Sequence, residues 1–423
     1  MLATLRKFGL RHHDLPTMLW NATVLLRALA LDVDSRNTKR TPIIMYVTSA
    51  IIMGFYFYTY HLSTYWFIFW RGGGDLLFNI LLLSLSISSS IGVVKLLYMY
   101  FNSLKLKKIV SEYLDCDAAL ASKSRMSTNV NTTLRSVKKR AIIFWLIIIG
   151  NGVVYVLTPL LTPGRHFMED DQILIGLEPM FDSPNYEIAF TALFCGVFLT
   201  VYAPANITGF IIIIVGYNEA QMLALAQELH HLWEDAQAHY GNLGIDSSNN
   251  AGCSNDTFPR EFNIIKKKKA RIINDYVRQR LVTIMEIHAT NINLVKQVEN
   301  IFKSAIAIEF ALLSCGLIGE LLGGLENTYI EVPFALVQVS MDCLTGQKLI
   351  DANKAFEEAV YACKWENFDV SNKKLILVIL QNSQKTMQLS AGGLATLSYT
   401  SLMSVFRSIY SAYTALRTTM KLG

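Results

Sequence analysis

Three stretches of this chain, residues 41–70, 141–164 and 188–218, contain no Asp, Glu, Lys or Arg. Each is longer than the roughly 20 mostly apolar residues that carry an α-helix across about 30 Å of hydrocarbon. A helix with one face in water would show polar residues every three or four positions, and these blocks do not. They place the chain in the class of all-α membrane proteins. Composition agrees, since 52% of the 423 residues are hydrophobic and only 17% are charged.

Residues 76–94 form a further uncharged block followed by Lys95. The stem of Lys95 is expected to run along the apolar face and place the amine among lipid headgroups. Residues 386–406 are also uncharged, and small and apolar residues continue past Arg407 to Leu416, so a last span is expected there. Two weaker segments lie between: residues 304–325 carry Glu309 and Glu320, and residues 332–350 carry Asp342 and Lys348. The distribution of Lys and Arg supports both as spans, because these residues stay on the cytoplasmic side near span ends. By segment they number 7 before residue 41, 10 over 95–140, 9 over 260–296 and 6 over 348–385. The alternate segments hold Arg71, Arg165, none over 324–331, and Arg417 with Lys421, while Lys303 and Arg407 fall within spans. Thirty-two against four fits seven transmembrane helices with the N-terminus cytoplasmic and the C-terminus extracellular.

That orientation is opposite to a G-protein-coupled receptor's, and the chain lacks an Asp-Arg-Tyr triplet after the third span and an Asn-Pro-x-x-Tyr in the seventh. The net charge of +5 is spread through short loops as orientation signals, so no nucleic-acid surface is expected. Residues 1–42 form a cytoplasmic segment without an apolar core and small-residue cleavage site, leaving the first span to direct insertion. Spans one to four, with a cytoplasmic extension of the fourth, occupy 43–240. A flexible link rich in Asn, Ser and Gly follows over 241–260, then a cytoplasmic helix leading into spans five and six over 261–350. A cytoplasmic region over 351–385 precedes the seventh span and its short extracellular tail over 386–423. In the cytoplasmic helix, apolar positions recur at Ile273, Val277, Leu281, Ile284, His288, Ile292, Val295, Val298 and Phe302, one stripe at helical spacing. Such a stripe in water needs a partner, and subunits are expected to meet there.

Little else carries chemistry. The six cysteines all fall outside the extracellular segments, so no disulfide framework is expected. The sequons at Asn21, Asn131, Asn206 and Asn255 fall in the cytoplasm or within span four. The run Lys266 to Lys269 reads as a solvated helix start. His12-His13 and His230-His231 lack further ligands at metal spacing, and Gly72 to Gly74 is a tight outer turn with no phosphate-loop Lys after it. No nucleophile, base and orienting group assemble, so neither enzyme activity, metal nor cofactor is expected. Glu309 and Glu320 either mark a functional site within the spans or meet a donor on a neighbouring helix.

The C-terminal fifth carries a more specific pattern. It runs Cys343-x-x-Gly346, then Tyr361 and Trp365, then a basic amphipathic stretch over 372–385, then Leu389-Ser390-Ala391-Gly392-Gly393. The tail reads Ser408-Ile409-Tyr410-Ser411-Ala412-Tyr413-Thr414-Ala415-Leu416. This pattern resembles the C-terminal region of insect odorant receptors, and the inverted seven-span layout is similar to that family's. The resemblance implies an odorant-gated, non-selective cation channel in the plasma membrane of an olfactory neuron dendrite. It implies a tetramer around a central pore lined by the seventh span, a cytoplasmic anchor of helices, and a volatile ligand held among spans two, three, four and six. The tail lacks the Thr-Tyr, five apolar residues and Gln-Phe of gustatory receptors, and the family's co-receptor is longer with a Val-rich tail. The chain therefore resembles a tuning subunit working with co-receptor subunits, membrane lipid and permeant monovalent and divalent cations.

On this reading the pore is expected at Ala412, Leu416 and Thr419, three to four residues apart on one face, with Leu416 as an apolar constriction. Four copies of Arg417 would ring a cation path with positive charge, so dilution in a heterotetramer is expected. The ligand pocket is expected from Phe78 and Leu82 in span two, Asn151, Val154, Tyr155 and Thr158 in span three, Phe190, Phe194, Val197 and Phe198 in span four, and Phe334 with Gln338 in span six. That lining suits a small apolar ester, alcohol or aromatic. The alternatives are a gustatory-type channel subunit, a metabotropic seven-helix receptor and a secondary transporter, although the two halves do not echo each other as transporter repeats do.

Overall fold

The computed structural model describes residues 9–37, 40–121, 124–170, 172–243, 258–324, 328–385 and 387–420. Most of the link expected over 241–260 lies outside the described residues, as do Cys253, Asn255 and Lys421. The described residues are overwhelmingly helical. A short α1 (Leu15–Arg27) is capped by Asp14, whose carboxylate accepts from the Thr17 backbone N–H at 3.1 Å. The long helices follow: α2 (Ile43–Phe69), α3 (Leu76–Phe101), α4 (Ser103–Ala118), α5 (Arg125–Leu161), α6 (Asn185–Asn242), α7 (Phe258–Leu322) and α8 (Glu331–Ala362). After α9 (Val370–Ser383) come two antiparallel two-residue strands, β1 (Ser390–Ala391) and β2 (Ala395–Thr396), and then α10 (Tyr399–Thr419).

Among the described residues, five helices, α2, α3, α5, α6 and α7, are long and apolar enough to cross a membrane. The protein is a multi-pass membrane protein with α6 at its centre, packed on α3, α5, α7 and α8. Of the apolar stretch of α6, 78% is buried, against 17% for α2. The second helix turns Ile43, Ile44, Val47 and Ile51 outward, where a bilayer is a better solvent than water. Small residues set the close helix approaches. A Cβ added at Gly92 would lie 2.7 Å from the Pro204 ring, and one at Gly152 would lie 2.8 Å from Val201.

Lys95 departs from its expected snorkelling pose. It is wholly buried, donating to Thr208 at 2.8 Å and pairing with Glu309 at 2.7 Å and Asp342 at 3.2 Å. The reason is desolvation: an ammonium and two carboxylates on α3, α7 and α8 are each costly in hydrocarbon, and together they neutralise most of that cost. Gln338 belongs to the same network, donating to Glu309 at 3.1 Å and to Thr208 at 3.4 Å. The charges that weaken residues 304–325 and 332–350 as hydropathy spans are thus in part the groups that join those helices. Glu309 has found its donor on a neighbouring helix.

The apolar stripe of α7 is a real face, with Ile273, Val277, Leu281, Ile284, His288, Val295, Val298 and Phe302 buried and Ile292 partly so. Its partners belong to the same chain, however, rather than to a neighbouring subunit. The stripe packs on the extension of α6 and on α4, α8 and α9, as where the His288 ring meets Phe356 at 4.6 Å. Fold-back of the extensions covers this apolar face within the chain. Burial pushes the His288 imidazole down to about 4, so it is neutral in the stripe at cellular pH.

The seventh helix begins at Tyr399, thirteen residues later than the uncharged block at 386 implies. An absence of charge is not a helical signal. Gly392 and Gly393 both adopt positive φ, at 65° and 75°, and turn the chain between β1 and β2. The hairpin is fastened to α7 by the Gly392 N–H to the Lys303 carbonyl at 2.8 Å and by the Ser390 hydroxyl to Glu299 at 2.7 Å. Ser398 then caps α10, accepting from the Ser401 N–H at 3.2 Å.

Candidate functional site

The end of the bundle away from the long extensions contains a cavity of about 70 Å³. Its walls are Tyr60 of α2, Leu85, Ser88 and Ser89 of α3, Asn151, Gly152 and Tyr155 of α5, Val197, Thr200 and Val201 of α6, Glu320 of α7, and Ile330, Glu331 and Phe334 at the start of α8. A larger space of about 500 Å³ lies beyond it, lined by Phe78, Leu81, Thr158 and the segment from His166 to Asp170. Tyr155, Ile330 and Glu331 form a common wall between the two.

Tyr60 reaches the cavity because α2 changes to a π-helix over Phe57–Ser63. The wider turn brings Thr59, Tyr60, Ser63 and Thr64 all to the buried side, and such turns recur at functional sites. Gly196 makes room for them: a Cβ there would stand 2.8 Å from Thr59 Oγ1 and 2.9 Å from the Tyr60 ring. His61 in the same turn contacts the Tyr56 hydroxyl at 2.9 Å and the Ser86 hydroxyl at 3.1 Å, tying α2 to α3.

The loop between α5 and α6 folds over this end around a second small core of Phe167, Leu174 and Met180 against Ala189 and Leu193. Tyr155 donates to Glu169 of this loop at 3.0 Å, and the buried Gln172 amide donates to the Thr59 carbonyl at 3.1 Å. Asn151 donates to the Ile330 carbonyl at 2.8 Å and so positions the entry to α8. Ser88 donates to Glu320 at 2.9 Å. The result is a cavity that is mostly aromatic and aliphatic, with a few fixed polar groups and no metal-ligand cluster among the described residues.

A family model described as the seven-transmembrane odorant receptor matches residues 74–322 and 328–410. The chain belongs to the odorant receptor family. It is 29% identical over 83 residues to the odorant receptor coreceptor of Aedes aegypti, a stretch that spans 20% of this chain and 17% of that one. It is 24% identical over 139 residues to putative odorant receptor 85d of Drosophila melanogaster, covering 31% of this chain and 34% of the relative. The fold is similar to that of the insect olfactory receptor OR5 from Machilis hrabei in complex with eugenol, with a TM-score of 0.72 at 11% identity over 96% of this chain and 98% of that one. A second structure of the same receptor gives a TM-score of 0.73 at 12% identity over 95% of this chain and 98% of that one. This is a receptor family and not an enzyme family.

Of the expected pocket residues, Asn151, Tyr155, Val197 and Phe334 line the cavity of this odorant receptor, and Phe78 and Thr158 line the larger space beyond. Leu82 is buried and Gln338 is committed to the Lys95 network, and neither reaches these two spaces. Phe190 packs on the core of the loop between α5 and α6. Val154, Phe194 and Phe198 turn outward, and Phe198 stacks on Tyr202 with ring centroids 4.9 Å apart. Sequence reasoning places Tyr60, Ser88, Ser89 and Glu331 in no pocket. A π-turn leaves no periodic signature, and small polar residues on a span read equally well as packing. On α10, Ala412 is half-buried while Leu416, Arg417 and Thr419 are exposed. Replacing Tyr155 with Ala is expected to shift ligand potency about tenfold, whereas Phe194→Ala leaves it within about twofold, as dose-response currents at equal surface expression would test.

Proposed function

We propose that this chain is the odorant-sensing subunit of a ligand-gated, non-selective cation channel that assembles with the family coreceptor as a heterotetramer. It would work in the plasma membrane of the olfactory neuron dendrite, admitting monovalent and divalent cations when a small volatile ligand enters the outer cavity. The observation that carries this reading is the largely apolar cavity among α2, α3, α5, α6 and α8 in a fold that resembles a receptor solved with eugenol. Such a lining suits a small molecule with an apolar body and rejects hydrated ions.

The seventh helix fits a pore wall. Among the described residues of α10, Ile409 alone is buried, so most of the helix surface is left for other subunits or for water. Ala412, Leu416 and Thr419 follow one another at three- and four-residue steps, and Leu416 suits an apolar gate that closes by excluding water. Arg417 donates to the Tyr413 hydroxyl at 3.1 Å, one helical turn back. One or two copies per channel are compatible with cation flow, whereas four would oppose it. In cells that express the chain with the coreceptor, odorants are expected to evoke cation current with nucleotide absent from the patch. The chain alone is expected to give none, and robust current from the chain alone would overturn the heteromeric reading.

A further inference from the structure

The cavity carries an acidic feature that an apolar odorant does not need. We propose that it selects ligands bearing a hydrogen-bond donor, an amine or a hydroxyl, over acceptor-only odorants such as ethers, ketones and esters, with Glu320 and Glu331 as the groups that receive the donor. The inference rests on the reading of this cavity as the odorant site.

Glu320 is wholly buried and lines the cavity. One of its oxygens accepts from Ser88 at 2.9 Å, which fixes the carboxyl, while Oε2 has no partner. Glu331 enters the same cavity from the first turn of α8, and its Oε2 is also buried without a partner. No Lys, Arg or His is among the lining residues that could satisfy either oxygen. The wall donors are mostly committed. Asn151 gives its amide to the Ile330 carbonyl, Tyr155 its hydroxyl to Glu169, Ser89 its hydroxyl to the Ser86 carbonyl at 2.8 Å, and Thr200 its hydroxyl to Val197 at 2.9 Å. The Tyr60 hydroxyl is left to serve two carboxyl oxygens.

Two buried acceptors without donors are a standing cost in a low-dielectric site, and a ligand that brings an N–H or O–H removes part of it on binding. A ligand with only a carbonyl or ether oxygen brings no such hydrogen, and against an ionised carboxylate it sets lone pair against lone pair. Sites built around buried polar groups discriminate most strongly against ligands that leave those groups unpaired. Shape alone, in a lining otherwise made of Leu85, Val197, Val201, Ile330 and Phe334, would not distinguish an alcohol from its isomeric ether.

The test uses the full chain co-assembled with the coreceptor and three probes with similar bodies: phenylpropanol, phenylpropylamine and phenethyl methyl ether, the last an isomer of the first. Binding is read as a thermal shift on the purified complex, and gating as current in cells. The alcohol and the amine are expected to bind at least about tenfold more tightly than the ether. In Glu320→Gln, whose carboxamide donates as well as accepts, the alcohol-to-ether preference is expected to fall below about threefold. Glu331→Gln is the second variant, with the same expectation, and carries the test if Glu320→Gln fails to assemble. The proposal is overturned if the ether matches the alcohol in the unmodified complex, if the preference survives unchanged in the Gln variants, or if none of the three probes binds at millimolar concentration. Binding in the expected order without any current would support the donor rule and overturn the channel reading instead.

Discussion

Replacing Lys95 with Met is expected to abolish the folded receptor at the cell surface. The side chain is wholly buried and stands between Glu309 and Asp342, so its removal leaves two carboxyl groups facing each other in the middle of the bundle. Removing one partner of a buried ion pair costs about 3–5 kcal/mol, a large share of the stability of a typical domain. The packing loss is small by comparison, because Met fills most of the volume of the lysine stem. The triple variant Lys95→Met, Glu309→Gln, Asp342→Asn is therefore expected to recover much of the surface expression, since its groups need no counter-charge. Fluorescence size-exclusion profiles and melting midpoints in detergent would check both. If Lys95→Met alone assembled and melted like the parent, the three charges would not be coupled as argued.

The second large effect is expected at Gly346. A Cβ added there would overlap the backbone carbonyl and side chain of Leu397, the residue that links the hairpin to α10. A side chain alone can swing away, but the Leu397 N–H is held by the Leu389 carbonyl at 2.9 Å across the hairpin, so the backbone cannot give without undoing that bond. Gly346→Val should lower the melting midpoint by an amount corresponding to about 1–3 kcal/mol and move the start of α10 relative to α8. Ligand-evoked current is expected to be lost even in the fraction that reaches the surface, because α10 is the proposed pore helix. Retention of normal current in Gly346→Val would separate the hairpin from gating.

Both positions bear on what the chain of letters reveals. Gly346 was visible as part of a family pattern, Cys343-x-x-Gly346, without a reason for the glycine. The reason is a contact with a residue fifty-one positions later in a hairpin that uncharged composition disguises as the start of a span. Lys95 was visible as a charge at the edge of an apolar block, where a local argument sends it to the headgroups. Its partner Asp342 lies 247 residues away, and no local rule connects them.

Features that rest on short-range physics are the ones most legible in the order of residues. Block length and absence of charge marked the apolar helices, Lys and Arg placement argued for the number and direction of the spans, and helical spacing identified the buried stripe of α7. The tertiary structure alone decided who meets whom. It turned the stripe inward onto its own chain, joined three membrane charges into one network, rotated Tyr60 into the cavity by a π-turn, and set Glu320 and Glu331 in one wall. The physical reason is that hydrophobic burial is read residue by residue, whereas an ion pair, a close approach at glycine or an unpartnered carboxyl exists only between groups that folding brings within a few ångströms.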